Sequence, residues 1–112
     1  MAKIDDLTVG DLQIEDGALT EYYENTGTST SVAVTVTHGS PNFAVIYAYG
    51  AASGDVSCTR TRGSKNIGIL SPVSGQIRSF CIDEDCQDGD VYTLAGFTSG
   101  STNKITVVVR KC

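Results

Sequence analysis

The clearest pattern along the chain is an alternation of apolar and polar residues with a period of two. In residues 31–37, valines at every second position alternate with small or hydroxyl-bearing residues, and residues 104–110 repeat the pattern. Successive side chains of a β-strand point to opposite faces, so this period predicts strands that bury one face. No segment shows the 3.6-residue apolar stripe that would indicate a helix.

Six more segments have the apolar, β-branched and aromatic content of strands, and Gly-, Ser-, Asn- or Pro-containing turns separate them. One of them, residues 43–49, is apolar on both faces, which predicts a central strand covered on each side. The spacing of turns predicts an all-β fold, an antiparallel β-sandwich or barrel of about seven to eight strands, immunoglobulin-like or jelly-roll-like. The six segments are residues 18–24, 43–49, 56–61, 67–70, 76–82 and 91–97.

Residues 1–17 differ from the β-sandwich domain predicted over residues 18–112. They are acidic, and Gly10 and Gly17 interrupt a loose apolar set that suits neither a helix nor a long strand. Two interpretations remain open, a first edge strand near residues 12–14 or an extended arm that packs on a neighbouring molecule. Fully extended, the segment would reach about 55 Å. The apolar residues that would bind a partner are Ile4, Leu7, Val9, Leu12 and Ile14.

Charge and hydropathy narrow the function classes. The net charge is −5, whereas nucleic-acid binding needs clustered positive charge, so we expect no nucleic-acid partner. No apolar run is long enough to span a membrane. The first six residues lack the apolar stretch of a signal peptide. We therefore expect either synthesis in a cytosol or a leader that has been removed.

The acidic stretch CIDEDCQDGD, residues 81–90, has three interpretations: a metal site, a redox motif and a corner held by a disulfide. An EF-hand loop would need an oxygen ligand where Cys86 stands and a closing Glu where Ala95 stands. Zinc and dithiol redox sites favour Cys-x-x-Cys spacing, which the chain lacks. We therefore predict no metal and no cofactor, with a looser calcium site at residues 83–90 left open.

The four cysteines, Cys58, Cys81, Cys86 and Cys112, form an even set in a small chain, which predicts disulfides. Four cysteines allow three pairings. We favour a short-loop Cys81–Cys86 bond at a hairpin corner, because a chain reversal can bring two such residues to disulfide distance. The second disulfide would then join Cys58 to Cys112, although Cys112 could instead form a disulfide with a second subunit.

No catalytic constellation is recognisable, and we predict that the protein is not an enzyme. His38 is the sole histidine and lies in a turn, and no Gly-x-Ser-x-Gly motif is present.

Two charged loops remain as candidates for an interface. Their opposite signs could pair between copies in a ring if they lie on different edges of the domain; otherwise both are ordinary solubilising loops. The basic loop contains Arg60, Arg62 and Lys65, and the acidic stretch contains Asp83, Glu84, Asp85, Asp88 and Asp90.

Three features together resemble the small all-β cement or decoration proteins of tailed-phage capsids: the Met1-Ala2-Lys3 start, the acidic stretch up to Gly17, and a Val- and Gly-rich β domain ending at residues 107–112. The resemblance implies a structural virion protein, made in the host cytoplasm and bound to the outside of the shell. Its partners would be other copies of itself, in a trimer, and the major capsid protein. The arm would reach a neighbour, and disulfides would lock the domain after release.

The alternative is a secreted immunoglobulin-like module for adhesion or carbohydrate binding. The chain has no Trp, which argues against a true antibody-type domain. Five tyrosines are present, and we expect Tyr47 and Tyr49 to lie in the core or at its rim.

Overall fold

The computed structural model describes residues 20–37 and 42–110. This part of the chain forms eight β-strands and one short 3₁₀ turn at Arg62–Ser64. The strands are β1 (Thr20–Gly27), β2 (Ser31–Thr35), β3 (Asn42–Ala51), β4 (Val56–Arg60), β5 (Lys65–Leu70), β6 (Gln76–Cys86), β7 (Val91–Ala95) and β8 (Asn103–Arg110). The prediction of an all-β fold is confirmed.

The strands lie in two antiparallel sheets of four. Sheet A has the order β1-β8-β3-β6 and sheet B has the order β2-β7-β4-β5. The pairs β1–β8, β2–β7, β3–β6 and β4–β5 are nested, as in a long hairpin that has been rolled up. This is the strand order of a jelly roll, a sandwich of two Greek keys, and it differs from the immunoglobulin order.

The inner faces of the two sheets share one hydrophobic core. In β8, Ile105, Val107 and Val109 are fully buried, and the residues between them are partly exposed, as the period of two predicts. Tyr92 and Leu94 of β7 are buried in the same core from sheet B. Burying each large apolar side chain contributes about 1.5–3 kcal/mol, so β8, which pairs with both β1 and β3, is central to the stability of sheet A.

Strand β6 departs most from the sequence prediction. The sequence predicts that it ends at residue 82, whereas it continues to Cys86. Asn42 of β3 pairs with Cys86 but Ala44 pairs with Asp83, so β6 contains one extra residue, which is a β-bulge. Because of that residue, Asp83 and Cys86 both point inward and are buried, although they are three positions apart.

Strand β3 also differs from the prediction. It is an interior strand of sheet A, as expected, and Ala44, Ile46 and Ala48 are buried on its inner face. Its outer face is not covered by the other described residues, since Tyr47 and Tyr49 are each 46% exposed. A strand whose sequence is apolar on both faces is therefore covered on only one face by the described part of the chain.

The predicted arm, residues 1–17 with Ile4, Leu7, Val9, Leu12 and Ile14, lies outside the described residues, as do His38 and Cys112. The expectations for them remain predictions. Within the described ranges, no helix has the length and apolarity needed to cross a lipid bilayer.

Candidate interaction surface

The outer surface of sheet A carries a cluster of exposed aromatic and apolar side chains, here called the aromatic face. Its members alternate with buried residues on their strands, so the pleat of the sheet directs them all to one side. The exposed fractions run from 46% for Tyr47 to 72% for Tyr22. The aromatic face consists of Tyr22, Tyr47, Tyr49, Arg78, Phe80 and Ile82.

Cross-strand pairs between β3 and β6 organise the aromatic face. Tyr47 lies opposite Phe80, with ring centroids 5.6 Å apart and ring planes tilted by 45°. Tyr49 lies opposite Arg78, whose guanidinium carbon is 5.0 Å from the centre of the tyrosine ring, a cation–π contact. These contacts hold the rings side by side on a flat support while leaving them open to solvent.

Polarity changes from one end of the aromatic face to the other. An apolar row crosses all four strands of sheet A, as Tyr22, Val108, Val45 and Ile82 pair in sequence. At the other end, Lys104 joins Arg78 as a basic residue; Lys104 also forms a 2.7 Å salt bridge to Glu24 on β1. The surface thus has an apolar end and a basic end.

A shallow groove of about 380 Å³ runs between the rings of β3 and the side chains of β6. Its floor is the strand backbone at Ala48 and Ser79, whose side chains point to the inner side of the sheet. It is lined by Tyr47, Ala48, Tyr49, Arg78, Ser79 and Phe80.

The two charged loops do not lie on different edges, the condition for pairing between copies, but are joined to each other inside the molecule. Arg60, at the end of β4, is buried, and its Nη1 donates to both carboxylate oxygens of Asp83, at 2.9 and 2.7 Å. Asp83 also accepts from the Tyr92 hydroxyl at 2.6 Å and from the Asp85 backbone N–H at 3.0 Å. Each oxygen of this buried carboxylate therefore has two donors.

A second arginine completes this inter-sheet network, which comprises Arg60, Arg62, Asp83, Asp85, Asp90 and Tyr92. Arg62 donates from Nε to Asp90 Oδ1 at 2.7 Å and from Nη2 to the Asp85 carbonyl. Burial alone would raise the pKa of the Asp90 carboxyl. Two hydrogen bonds outweigh this effect of burial and lower the pKa of Asp90. One comes from Arg62, and the other comes from the Gln87 backbone N–H, which donates to Asp90 at 2.7 Å.

The network corrects the prediction of two opposite interface patches. Arg60, Asp83 and Asp90 are buried, Arg60 and Asp83 pair with each other and Asp90 pairs with Arg62, so the three are not available to a second molecule. Of the remaining candidates, Lys65, Glu84, Asp85 and Asp88 are exposed, and Arg62 is partly exposed. Among the described residues, no group of three or more His, Cys, Asp or Glu is arranged to hold a metal ion.

The favoured Cys81–Cys86 disulfide is wrong. Both residues lie on the single strand β6, and five residues of extended strand separate their Cα atoms by about 16 Å, whereas a disulfide needs about 5.5 Å. Cys58, Cys81 and Cys86 are reduced, with no disulfide among them. Cys58 of β4 and Cys81 of β6 face each other across the core and form a thiol–thiol hydrogen bond.

No protein-family model matches this chain, and neither a curated protein nor a solved structure matches it significantly.

Two features of the site escaped the sequence interpretation, although the sequence carries a signal for each. In the middle of β3 and β6, large outer residues alternate with small inner ones, as in Tyr47-Ala48-Tyr49 and Arg78-Ser79-Phe80. Cys-Thr-Arg at 58–60 and Cys-Ile-Asp at 81–83 place a thiol and a charge on one face of each strand. In the structure the two thiols face each other, and the arginine pairs with the aspartate.

Proposed function

We propose that the protein is a structural virion component, a cement or decoration protein that binds the outside of a phage shell and stabilises it by non-covalent contacts between neighbouring subunits. Its partners would be other copies of itself, as a trimer, and the major capsid protein. The jelly roll is consistent with this role, since capsid domains use it, but lectins use it too and a fold alone does not define a function.

The observation that carries the proposal is the uncovered aromatic face. Tyr22, Phe80 and Ile82 are each about half exposed or more, and they lie on one continuous surface with Tyr47 and Tyr49. Contiguous exposed apolar patches of this kind mark interaction sites. The charged groups that could have served an interface are largely occupied within the inter-sheet network, which leaves the aromatic face as the main adhesive surface of the described chain.

The occupant we assign to the aromatic face is residues 1–17 of a neighbouring copy. The segment leads into Thr20, where β1 begins at an edge of sheet A, and its reach of about 55 Å far exceeds the roughly 15 Å width of four strands. Its five apolar residues suit the apolar row. Its five acids against one lysine suit the guanidinium of Arg78 at the basic end, since Lys104 is already paired with Glu24.

The test is light scattering on the purified full-length chain, together with a matched pair of substitutions. Phe80→Ser removes a ring from the aromatic face, and Ile69→Ser removes a similarly exposed apolar side chain from sheet B. We expect a trimer for the parent chain and for Ile69→Ser, and dissociation for Phe80→Ser. A monomeric parent chain, or equal effects of the two substitutions, would contradict the proposal.

A second candidate is a secreted module that binds carbohydrate, and the arrangement of Tyr47, Tyr49 and Phe80 on a flat sheet favours it. Aromatic rings present a broad apolar surface with little entropy to lose, and Arg78 adds hydrogen-bond donors at the edge of the groove. A monomer that binds glycans on an array, and loses them with Tyr49→Ser, would support this candidate. A monomer that binds none would contradict both.

A further inference from the structure

We propose that Cys58 and Cys81 are a site of disulfide formation, and that the bond they form ties sheet A covalently to sheet B. The pairing is independent of the proposed function, since it depends on the interior of the sandwich and not on the aromatic face. It also replaces the pairings predicted from the sequence.

The first argument is the placement of the two strands. Cys58 is on β4 of sheet B and Cys81 is on β6 of sheet A, and their thiols are already in hydrogen-bond contact. Two positions further along each strand, Arg60 and Asp83 form a buried ion pair with an N–O distance of 2.7 Å. The ion pair therefore fixes the relative height of the two strands and holds the sulfurs opposite each other.

The second argument is the residue that packs on the pair. Gly68 of β5 pairs with Cys58, and a Cβ atom at this position would lie 3.1 Å from Cys81 Cβ and 3.8 Å from its sulfur. A side chain here would press Cys81 away from its present place. The glycine therefore lets β5 pass close over Cys81 and leaves its sulfur directed towards Cys58.

The third argument is that the pair has one accessible and one protected sulfur. Cys58 is fully buried, whereas Cys81 is partly exposed. The hydrogen bond from the Cys58 thiol lowers the pKa of Cys81, and the same bond together with burial raises the pKa of Cys58. Cys81 is thus the sulfur that reacts first with an oxidant from solution.

A low-molecular-weight disulfide such as oxidised glutathione is a sufficient oxidant. The Cys81 thiolate attacks one glutathione sulfur, forms a mixed disulfide and releases one glutathione thiolate. Cys58 then loses its proton to solvent and attacks the Cys81 sulfur, which releases the second glutathione thiolate. Two protein thiols are oxidised to one disulfide, and one glutathione disulfide is reduced to two thiols.

The remaining described cysteine serves as a control. Cys86 is buried on β6, five positions from Cys81, and contacts the Tyr92 hydroxyl. Burial raises the pKa of its thiol. It is therefore a poor nucleophile, and its fixed position on the same strand keeps it from Cys81.

The first experiment maps the bond. The full-length chain is oxidised with glutathione disulfide, both when folded and during refolding, so that burial cannot hide the thiols. A protease that cleaves at Asp83 or Asp85 separates Cys81 from Cys86, and mass spectrometry then identifies the linked peptides. We expect a Cys58–Cys81 link and a mass lower by about 2 Da. A bond from either residue to Cys86 or Cys112, or no bond after refolding, would overturn the proposal.

The second experiment measures the effect on stability. Cys58 and Cys81 are 23 positions apart, and closing a loop of that size raises the melting temperature by on the order of 10 °C. We expect that difference between oxidised and reduced parent chain, its loss in Cys81→Ser, and its retention in Cys86→Ser. Equal melting temperatures of the oxidised and reduced parent would show that no inter-sheet bond constrains the fold.

Discussion

The inter-sheet network and the aromatic face make opposite use of strand β6. On the inner side, Asp83 has every carboxylate lone pair occupied by a donor of the same chain. On the outer side, Phe80 and Ile82 contact solvent over about half of their surface. The first region satisfies polar groups in the interior, and the second leaves apolar groups without a cover.

The difference indicates that the inter-sheet network serves the fold, and it supports our proposal that the aromatic face serves association. A buried charge that has lost its partner is costly, so each member of the network contributes to the stability of the fold. An exposed apolar surface costs far less in the isolated chain. When another surface covers it, the burial of apolar area stabilises the complex. We therefore expect substitutions in the network to change folding, and substitutions on the aromatic face to change association.

The largest effect should come from Asp83→Asn. Removing the charge leaves the Arg60 guanidinium buried without its counterion, and we expect the free energy of unfolding to fall by about 3 kcal/mol. Urea denaturation at pH 7 measures it. Glu84→Gln is the matched control, because it makes the same chemical change one residue away at an exposed position, where about 0.5 kcal/mol or less is expected. Equal effects would contradict a structural role for the network.

A smaller effect on the free energy of unfolding is expected when one tyrosine hydroxyl is removed from each region. Tyr92→Phe deletes the hydrogen bond to the buried Asp83 carboxylate and should lower the free energy of unfolding by about 1.5 kcal/mol, since hydrogen bonds to charged groups are strong. Tyr47→Phe on the aromatic face should leave it unchanged within about 0.5 kcal/mol. If Tyr47→Phe were the more damaging, the assignment of the two regions would be reversed.

Acid should weaken the network and not the aromatic face. The folded-state pKa of Asp90 is lowered below its ordinary value, so the stability it contributes is complete above about pH 4 and is lost as pH falls through the folded pKa. We expect the free energy of unfolding to decline below about pH 4, with a slope that Asp90→Asn reduces by at most about 1.4 kcal/mol per pH unit. An unchanged slope would show that Arg62 does not stabilise the ionised form.

The smallest effect on folding should come from Phe80→Ser. The side chain is 53% exposed, so we expect the free energy of unfolding of the isolated chain to change by no more than about 0.5 kcal/mol, while association is lost. Denaturation at a low protein concentration measures the first quantity and light scattering the second. A large loss of stability at low concentration would mean that Phe80 supports the fold itself.

The sequence was sufficient to predict the strands, because each one has its own local pattern. Valines at every second position of β2, and Ile105, Val107 and Val109 of β8, are buried or half-buried as predicted. All eight segments expected to be strands overlap strands of the structure. Alternation is a property of neighbouring residues, so a single sequence is enough to read it.

The inter-sheet contacts could not be predicted in this way, because they join positions between 9 and 28 residues apart. Acidic residues are disfavoured in strands, so the run around Asp83 resembled a hairpin corner. The bulge and the arginines of another strand reverse that expectation, since Arg60 Nη1 also donates to the Asp85 carbonyl at 3.1 Å and holds the irregular backbone. Residues 81–90 alone reveal neither the bulge nor the arginines that pair with these acids.

The bulge in β6 has a consequence for protein held at high concentration. An eleven-residue strand at the edge of a sheet offers free backbone groups to which a strand of another molecule could add, the first step of fibril growth. The extra residue between Asp83 and Cys86 interrupts that template, and the exposed acids Glu84 and Asp85 repel an identical edge. Many copies of this chain held close together would therefore be protected from aggregation through pairing of their edge strands.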